Sequence, residues 1–213
     1  MLELGIKPIG FDTSAERRAQ ASDLYGIHTV DSFDEAMTKN LDAMIISTPP
    51  DTHKEYALAA AGKKIPFFTE VNTMHPDDMQ DIIDACDGNV TGMPSCNVAF
   101  HPSVVRIKSL MGMIGKVLTF SFQSGGYLPD WHPWEKLSDY YVYTKGTGGG
   151  RDYIMWELNW IYLLMGRPRT VFAHTKKMGD FDADIFDVYN LQIEFDSGAL
   201  GSVMADVIQK PRG

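Results

Sequence analysis

The apolar run at residues 43–46 stops at two hydroxyl residues and two prolines, and this junction most restricts the possible folds. A short, branched run bounded by breaker residues is typical of a strand buried in a parallel sheet. Proline has no amide hydrogen, so Pro49 and Pro50 end the strand and open a loop before a helical pattern at residues 52–61. Ligands of open α/β sheets bind at the carboxyl ends of strands. The candidate cofactor contacts here are Ser47, Thr48, Pro49 and His53.

An ordinary connection explains the same stretch equally well. Serine and threonine are common helix caps, so a strand–loop–helix unit with a capping threonine needs no ligand. Spacing alone leaves both interpretations open, and both place a parallel strand at this point in the chain.

The chain up to residue 98 alternates between strand and helix patterns. The predicted strands are 4–11, 27–30, 43–47, 65–70 and 90–96, and the predicted helices are 14–25, 32–39, 52–61 and 76–86. Gly26 follows the first of these helices, and Ser32 with Glu35 has the spacing of a capping box before the second. The alternation predicts βαβ units and a parallel sheet.

After residue 98 the pattern changes to an α+β arrangement. The predicted helices are 102–113 and 151–165, and the predicted strands are 116–124, 171–176, 187–195 and 199–205. Residues 117–123 alternate with a period of two, which is typical of an antiparallel strand with one buried face. We therefore predict two domains, residues 1–98 and 99–213, the second with a mostly antiparallel open sheet.

Two helices can cover only one face of the second sheet. The other face should then expose apolar side chains, and the candidates are Val188, Leu191, Ile193, Phe195 or their neighbours. An apolar patch of that size is rare on monomers. We therefore predict a homo-oligomer, a dimer or larger, joined through this face.

Composition excludes several classes of protein. The 213-residue chain has a net charge of −9, and an acidic protein lacks the clustered cations that sequence-independent nucleic-acid binding requires. Its two cysteines form no disulfide framework, and no Cys/His spacing matches a zinc site, so we predict no metal. No apolar run is long enough to span a bilayer, and the first residues do not resemble a signal peptide. We expect a cytoplasmic protein without a membrane or nucleic-acid partner.

A long loop at residues 125–150 is rich in aromatic residues. Long loops in compact domains usually carry function, and aromatics on this scale favour burial over disorder. Aromatic faces and acids suit sugar rings, so the loop supplies the candidate substrate contacts Tyr127, Asp130, Trp131 and Trp134. The alternative is a loop that is merely anchored by buried tryptophans.

The helix that follows the loop has polar and aromatic residues of interest. Arg151 is a cation near a helix start, where the dipole disfavours it, so an anionic partner such as Asp152 or a substrate phosphate is one interpretation. An exposed surface arginine is the other. Helical spacing predicts core positions for Trp156, Trp160, Leu163 and Leu164.

Several segments in this order resemble the Gfo/Idh/MocA family, the glucose–fructose oxidoreductase and inositol dehydrogenase type of NAD(P)-dependent oxidoreductase. The segments are Gly10–Asp12, Ser47–His53, Ala60–Lys64, Thr69–Glu70 and Gly148–Gly150. The resemblance covers nearly the whole chain and implies a Rossmann domain followed by an α/β domain with an open sheet. It also implies hydride transfer between a nicotinamide cofactor and a sugar, polyol or sugar-nucleotide hydroxyl.

The resemblance assigns cofactor roles to three acidic or amide side chains. Asp12, after the first predicted strand, would bind the adenine ribose and so favour NAD over NADP. Its alternative role is a helix N-cap. Glu70 and Asn97 would contact the nicotinamide side and the substrate, or else satisfy loop backbone groups.

The sequence departs from the family pattern in three places. It contains no G-x-G-x-x-G turn, and residues 5–12 occupy the position of a second Rossmann strand, so we expect dinucleotide binding to be weakened or lost. The family's Glu-Lys-Pro motif reads Glu70-Val71-Asn72, with the amide of Asn72 interpreted as the replacement for lysine. Alignment at Gly166 puts Trp156 at the position of the family's catalytic histidine.

Two hypotheses of different classes follow. In the first, the chain is a divergent or truncated oxidoreductase in which Glu157, His132 or His101 accepts the proton and Asn72 contacts the reacting hydroxyl. In the second, it is a catalytically inactive carbohydrate-binding or scaffold protein. Both predict a small carbohydrate or nucleotide sugar as the ligand.

Overall fold

The computed structural model describes residues 2–71, 75–145 and 150–210. The chain forms two compact units, one ending at Met44 and one beginning at Ile45. The domain boundary expected near residue 98 stays a prediction.

The first unit contains two short parallel strands and two helices. They are β1 (Ile9–Phe11), α1 (Ala15–Tyr25), β2 (His28–Val30) and α2 (Phe33–Thr38). Local sequence signals mark both helices: the Ser14 hydroxyl caps α1, and the Ser32 hydroxyl accepts from the Glu35 amide at 3.4 Å. Gly26 ends α1 with φ 64°, a left-handed conformation that favours glycine.

The second unit begins with a three-stranded sheet in the order β3-β4-β5. Its elements are β3 (Met44–Ile46), α3 (His53–Gly62), β4 (Phe67–Thr69), α4 (Pro76–Cys86) and β5 (Gly92–Pro94). Strands β4 and β5 are parallel, and Pro50 opens a 3₁₀ turn after β3. The structure thus confirms the Rossmann-like α/β pattern and the strand that the two prolines end.

The remaining elements build a four-stranded sheet in the order β6-β9-β8-β7. They are α5 (Pro102–Ile114), β6 (Thr119–Gly125), α6 (Arg151–Met165), β7 (Pro168–Lys176), β8 (Val188–Phe195) and β9 (Leu200–Asp206). Only the β6–β9 pair is parallel, so the sheet is mostly antiparallel, as predicted. The expectation that residues 117–123 form an antiparallel strand is wrong, because β6 lies at the sheet edge and its neighbour β9 runs parallel to it.

Helix α6 packs on one face of this sheet, and a hydrophobic core lies between them. The buried residues are Ile154, Ile161, Tyr189, Leu191, Ile193, Phe195, Val203 and Ala205. The prediction that Leu191, Ile193 and Phe195 lie on the bare face is therefore wrong. The pleat turns alternate residues to opposite faces, so the uncovered side of β8 carries Asn190, Gln192 and Glu194, with Val188.

The aromatic loop is ordered over its described residues, 125–145. It forms 3₁₀ turns at Leu128–Asp130, Leu137–Asp139 and Tyr141–Tyr143. A second core cluster joins it to later segments through Leu128, Tyr140, Val142, Ala183, Ile185 and Val207. The expectation that the loop aromatics favour burial is confirmed for Tyr140, whereas Trp134 is exposed.

Among the described residues, no helix combines the length and apolar character needed to cross a bilayer. Over the same residues, no group of three or more His, Cys, Asp or Glu side chains has the arrangement of a metal site.

Candidate cofactor and substrate site

The loop that leaves β3 is held from inside by His53. This side chain is 1% exposed, and its Nε2 lies 2.7 Å from the carbonyl oxygen of Thr48. A carbonyl oxygen only accepts, so Nε2 carries the proton in this bond. The Thr52 hydroxyl also donates to the Thr48 hydroxyl, at 2.7 Å. These bonds shape the loop and leave Ser47 and Pro49 exposed on it; a contact of His53 itself with a cofactor stays a prediction.

Backbone hydrogen bonds align the carboxyl ends of β3, β4 and β5. The Glu70 amide donates to the Ile46 carbonyl at 2.9 Å, and the Ser95 amide donates to the Thr69 carbonyl at 2.7 Å. The Ser95 carbonyl in turn accepts from the side-chain amide of Asn159 at 3.4 Å. Because Asn159 belongs to α6, that helix is tied directly to the strand ends.

A polar and aromatic face of α6 borders these strand ends. Asp152, Trp156 and Asn159 follow the i, i+4, i+7 spacing that places side chains on one side of a helix. A small cavity beside them is lined by Val71, Ser95, Cys96, Asn97, Val98, Trp156 and Asn159. The predicted contact Asn97 therefore lies next to the position where the family resemblance puts a histidine and this chain has Trp156.

The expectation that four apolar residues of α6 are core is only partly correct. Trp160 is half-buried and packs edge-on against Phe122, with ring centroids 5.1 Å apart. Trp156 and Leu163, however, are 40% and 51% exposed. The side of α6 that packs on the sheet is the one carrying Ile154 and Ile161, so these two side chains project elsewhere.

A buried carboxylate at the start of α6 bonds to the aromatic loop. The Tyr141 hydroxyl donates to Oδ2 of Asp152 at 2.6 Å, and Asp152 is 6% exposed. Burial, and then the negative charge of Asp152, hold the pKa of the Tyr141 phenol well above its usual value. The phenol therefore keeps its proton and acts as a donor to the carboxylate.

The three predicted proton acceptors each contact a neighbour in their own segment. Oε2 of Glu157 accepts from the Trp160 indole at 2.7 Å. Nδ1 of His132 bonds to the Glu135 carboxylate. His101 accepts from the Ser103 amide at 3.3 Å at the start of α5. Their roles in proton transfer stay predictions.

The two tryptophans of the aromatic loop differ: one fits the interpretation as a buried anchor, and the other fits the interpretation as a substrate contact. Trp131 is half-buried with its ring 5.5 Å from that of Tyr153, which fits an anchor. Trp134 is 75% exposed and stacks on His132, with centroids 4.8 Å apart, so it offers an open aromatic surface. Asp130 is also exposed.

Tyr127, the remaining loop residue among the predicted substrate contacts, packs near the end of the described chain. Its ring lies edge-on to Phe181, with centroids 6.2 Å apart, and the ammonium of Lys210 lies 5.2 Å from the ring centroid. Tyr127 therefore already has an aromatic and a cationic neighbour within the chain, and its contact with a substrate stays a prediction.

Gly150 lets α6 begin against the second core. A Cβ at Gly150 would lie 2.5 Å from the Phe186 carbonyl oxygen and 3.2 Å from the Tyr189 ring, so only glycine fits. Arg151 follows and is partly buried, not a fully exposed surface arginine. Burial raises the pKa of Tyr189 to about 12, although the positive charge of Arg151 opposes this. Gly148, of the same glycine run, lies outside the described residues.

In the first unit, Asp12 is tied to the start of α1. Its Oδ1 accepts from the Ser14 amide at 2.7 Å, and its backbone carbonyl accepts from the Arg18 guanidinium at 2.7 Å. The N-cap is Ser14, so the alternative role of Asp12 as the cap itself is wrong. Its role toward a ribose stays a prediction.

Glu70 also borders a second cavity, a groove between α4 and the β4–β5 strands with a volume of about 270 Å³. Its lining is mostly apolar, and it includes Met79, Ile82, Ile83, Phe67 and Val90. Asn72 lies outside the described residues. The middle position of the Glu-Lys-Pro triplet is in fact Val71, so the lysine is replaced by an apolar residue and not by an amide.

Sequence reasoning did not identify the contact between Tyr141 and Asp152. The signal that was available is the helical spacing of Asp152 and Trp156, which places the acid on the face that borders the strand ends. The tyrosine had no such signal, because only the fold of the loop brings its hydroxyl to α6.

Comparison with known proteins covers almost all of the described chain. The pattern of the oxidoreductase family with an NAD-binding Rossmann fold matches residues 9–90, and that of the GFO/IDH/MocA C-terminal domain matches residues 106–212. An uncharacterized oxidoreductase of Streptococcus pneumoniae is 30% identical over 175 residues, which are 76% of this chain and 46% of that protein.

Two further similarities agree with these matches. The 2,7-anhydro-N-acetylneuraminate hydratase of Escherichia coli is 27% identical over 178 residues, 78% of this chain and 46% of that protein. A levoglucosan dehydrogenase solved with NADH and levoglucosan has a TM-score of 0.85 at 20% identity, covering 98% of this chain and 60% of that one. The chain thus spans about half the length of the curated relatives it matches.

The fold, the order of motifs and the two matched regions agree with one another. The chain belongs to the Gfo/Idh/MocA family of oxidoreductases, whose first domain is an NAD-binding Rossmann fold.

Proposed function

We propose that this chain takes part in hydride transfer between a nicotinamide dinucleotide and a hydroxyl group of a carbohydrate. The observation that carries the proposal is the alignment of the β3, β4 and β5 carboxyl ends beside the polar face of α6. Ligands bind at such strand ends in open α/β sheets. The tie from Asn159 to the Ser95 carbonyl keeps α6 at this edge.

The residues at the carboxyl ends of β3, β4 and β5 could hold a nicotinamide dinucleotide by groups other than its pyrophosphate. Ser47 and Pro49 are exposed after β3, and Glu70 and Asn97 follow β4 and β5. The cofactor would supply the hydride acceptor, and these residues would hold it. The sequence has no G-x-G-x-x-G turn for the pyrophosphate, so the affinity of this chain for the dinucleotide should be weak. Asp12 favours NAD, because its carboxylate would repel the 2′-phosphate of NADP.

A carbohydrate substrate is supported by the aromatic loop and by the relatives. Trp134 offers an exposed ring face, and Asp130 lies in the same loop. Two similar proteins are named for the sugars 2,7-anhydro-N-acetylneuraminate and levoglucosan. Arg151, near the electropositive start of α6, favours a sugar with a carboxylate or phosphate.

Calorimetric titration with NAD, NADH and NADP tests the cofactor part of the proposal. We expect saturable binding of NAD and NADH in the micromolar to millimolar range and weaker binding of NADP. Asp12→Ala should reduce the difference in affinity between NAD and NADP. Ser47→Phe should weaken the binding of all three dinucleotides, because a large ring would occupy the space beside the carboxyl end of β3. Absence of heat with every dinucleotide at millimolar concentration would contradict the proposal.

A catalytically inactive carbohydrate-binding protein is the second candidate function. Val71 and Trp156 favour it, because they stand where the family resemblance puts lysine and histidine. Such a protein should bind 2,7-anhydro-N-acetylneuraminate or levoglucosan with the same affinity whether or not NAD is present. Trp134→Ala should lower that affinity, and the anchored Trp131 is unsuitable for this test because its loss would disturb the loop. Unchanged affinity in Trp134→Ala argues against this role for the loop.

A further inference from the structure

Three aromatic rings of the loop form a stack that ends at the protein surface. The imidazole of His132 lies between the rings of Tyr140 and Trp134, with centroid distances of 3.9 and 4.8 Å and interplanar angles of 25° and 23°. Tyr140 is buried in the second core cluster, whereas Trp134 is largely exposed. The stack therefore leads outward from the core to an open indole face.

Hydrogen bonds hold the middle of this stack in place. Nδ1 of His132 bonds to the Glu135 carboxylate, and the Glu135 amide donates to the His132 carbonyl at 3.2 Å. The imidazole is thus held at both faces and at one edge, and it fixes the inner face of the Trp134 indole. An exposed ring that is already held in place loses little conformational freedom when a ligand binds to it.

Trp134 is separated from the candidate site at α6 by several rings. The Tyr140 ring lies edge-on to the Tyr141 ring, with centroids 4.8 Å apart, and the Tyr141 hydroxyl bonds to Asp152 at the start of α6. Three successive ring contacts, from Tyr141 through Tyr140 and His132, therefore lead to Trp134. One sugar ring bound beside α6 is too short to reach the outer face of Trp134 as well.

The charge of the loop favours an uncharged ligand at that outer face. Residues 128–140 carry the carboxylates Asp130, Glu135 and Asp139 and a single lysine, Lys136. The electron-rich face of an indole attracts the partly positive C–H groups of a sugar ring, and carboxylates accept hydrogen bonds from its hydroxyls. A nucleoside diphosphate would instead bring negative charge beside these carboxylates. The surroundings of Trp134 therefore suit a neutral sugar better than a nucleotide.

We propose that Trp134 forms an outer subsite and that the substrate is a glycoside with at least two sugar rings. The reacting ring lies at the strand ends beside α6, and an uncharged second ring stacks on the outer face of Trp134. His132 is a positioning residue, because it holds the indole and does not touch the sugar. The inference rests on the proposed function and names its substrate class.

Matched pairs of sugars test the outer subsite. Calorimetry of the whole chain in the presence of NADH would compare levoglucosan with cellobiosan, which has one added glucose ring, and methyl β-glucoside with methyl β-cellobioside. The two-ring sugar of a pair should bind about tenfold more tightly, because it covers apolar surface of the indole. UDP-glucose is the probe for a nucleotide sugar, and its affinity should not depend on Trp134.

Substitutions of Trp134 separate the aromatic face from the structure of the loop. Trp134→Leu should bring the two affinities of a pair to within about twofold of each other, while the one-ring sugar binds as before. Trp134→Phe keeps an aromatic face and should retain most of the preference. Tyr25→Leu removes an exposed ring from α1 and is the control that should retain the full preference. Circular dichroism verifies that each variant folds.

Two substitutions of His132 test its positioning role. His132→Phe keeps a ring in the stack and should retain the preference for two-ring sugars. His132→Ala removes the ring that supports the indole and should reduce the preference, although Trp134 is still present. Equal behaviour of the two variants would show that the stack does not position Trp134.

Fluorescence provides a readout of contact at the indole itself. A saturating two-ring sugar should protect the tryptophans of the wild-type chain from acrylamide quenching more than the one-ring sugar does. This additional protection should be lost in Trp134→Phe, which still binds the sugar. Protection that persists in Trp134→Phe would place the second ring elsewhere and overturn the outer subsite.

The outcomes separate the subsite from the proposed function. If the wild-type chain binds neither dinucleotide nor sugar, the proposed function is contradicted. If it binds NADH but shows no preference for two-ring sugars, or if Trp134→Leu weakens both sugars of a pair alike, the outer subsite is wrong and the proposed function stands. If Trp134→Leu weakens UDP-glucose instead, the second ring belongs to a nucleotide and the proposed glycoside class is wrong.

Discussion

Gly150 is a residue at which an added methyl group would meet the backbone of another segment. It starts α6 directly against the Phe186 backbone, and a Cβ there would be 2.5 Å from the carbonyl oxygen. Backbone atoms cannot move aside as a flexible side chain can. The position thus couples the start of α6, and with it Asp152, to the second core.

Gly150→Ala should therefore lower the free energy of unfolding by about 1–3 kcal/mol, the usual cost of overpacking. Gly112→Ala is the control, because Gly112 is inside α5 with no atom within 4 Å of an added Cβ. It should raise stability by up to about 1 kcal/mol, since alanine favours helix. Urea denaturation measures both, and equal effects of the two substitutions would contradict the close approach at Gly150.

His53 shows how a residue in a predicted ligand loop can be structural. Its buried ring donates to the Thr48 carbonyl, and His53→Ala would leave that oxygen without this donor. We expect a loss of about 1–3 kcal/mol from the hydrogen bond alone. His28→Ala, at an exposed position of β2, should change stability by about 0.5 kcal/mol or less. A His53→Ala protein as stable as wild type would show that the loop does not depend on this bond.

At the scale of elements, two ion pairs connect α3 to α4. Lys54 of α3 lies 3.0 Å from the Asp78 carboxylate and 2.5 Å from that of Asp81, both on α4. Hydrogen bonds to Asp81 and Asp78 raise the pKa of Lys54. Burial alone would raise the pKa of Asp78, but the hydrogen bonds from Lys54 and the His75 amide hold it below its usual value.

This arrangement predicts how stability depends on pH. The pKa of Asp78 is lower in the folded than in the unfolded chain, so its contribution is present above the unfolded value and is lost as the pH falls through the folded value. Stability should decrease from about pH 5 to pH 3. In Asp78→Asn that decrease should be smaller, as measured by urea unfolding at each pH. Asp84→Asn, on the exposed side of α4, is the control, and an equal change in both variants would contradict the assignment to Asp78.

At the scale of the whole molecule, the uncovered face of the four-stranded sheet is mixed in character. Its β8 positions after Val188 are polar, but the register also places Phe172 opposite Gln192 and Leu200 opposite Glu194 on that face. Phe172 and Leu200 are 71% and 56% exposed. Exposed apolar residues on an open sheet favour self-association, although through other residues than the sequence suggested.

We therefore predict a dimer or larger oligomer of the 23.8 kDa chain. Replacing Phe172 and Leu200 together by Asp should convert it to a single chain, because charges on both sides of a two-fold interface repel each other. Met113→Asp, on the exposed side of α5, should leave the oligomer intact. Light scattering coupled to gel filtration measures the mass, and a 23.8 kDa species for the wild-type chain at micromolar concentration would show the prediction wrong.

Local patterns sufficed to predict the order of the helices and strands and the fold class. Proline after residue 46 ends β3, Ser32 caps α2, and Gly26 ends α1, because each acts through the backbone within a few residues. Strand bounds were predicted less well, because pairing with neighbours decides where a strand ends. The strand predicted at 65–70 is shorter, Phe67–Thr69, and the one predicted at 171–176 is longer, Pro168–Lys176.

Contacts between distant segments were decided only by tertiary structure. Sequence could not tell which face of β8 is covered, because its alternation fits either face and only the docking of Ile154 and Ile161 selects one. Nor could it place the Tyr141 hydroxyl on Asp152, since that bond depends on the path of a loop without regular periodicity. Caps and strand ends depend on residues next to each other in the chain, so the sequence predicts them. The candidate site depends on side chains from separate elements, and only the folded chain brings these together.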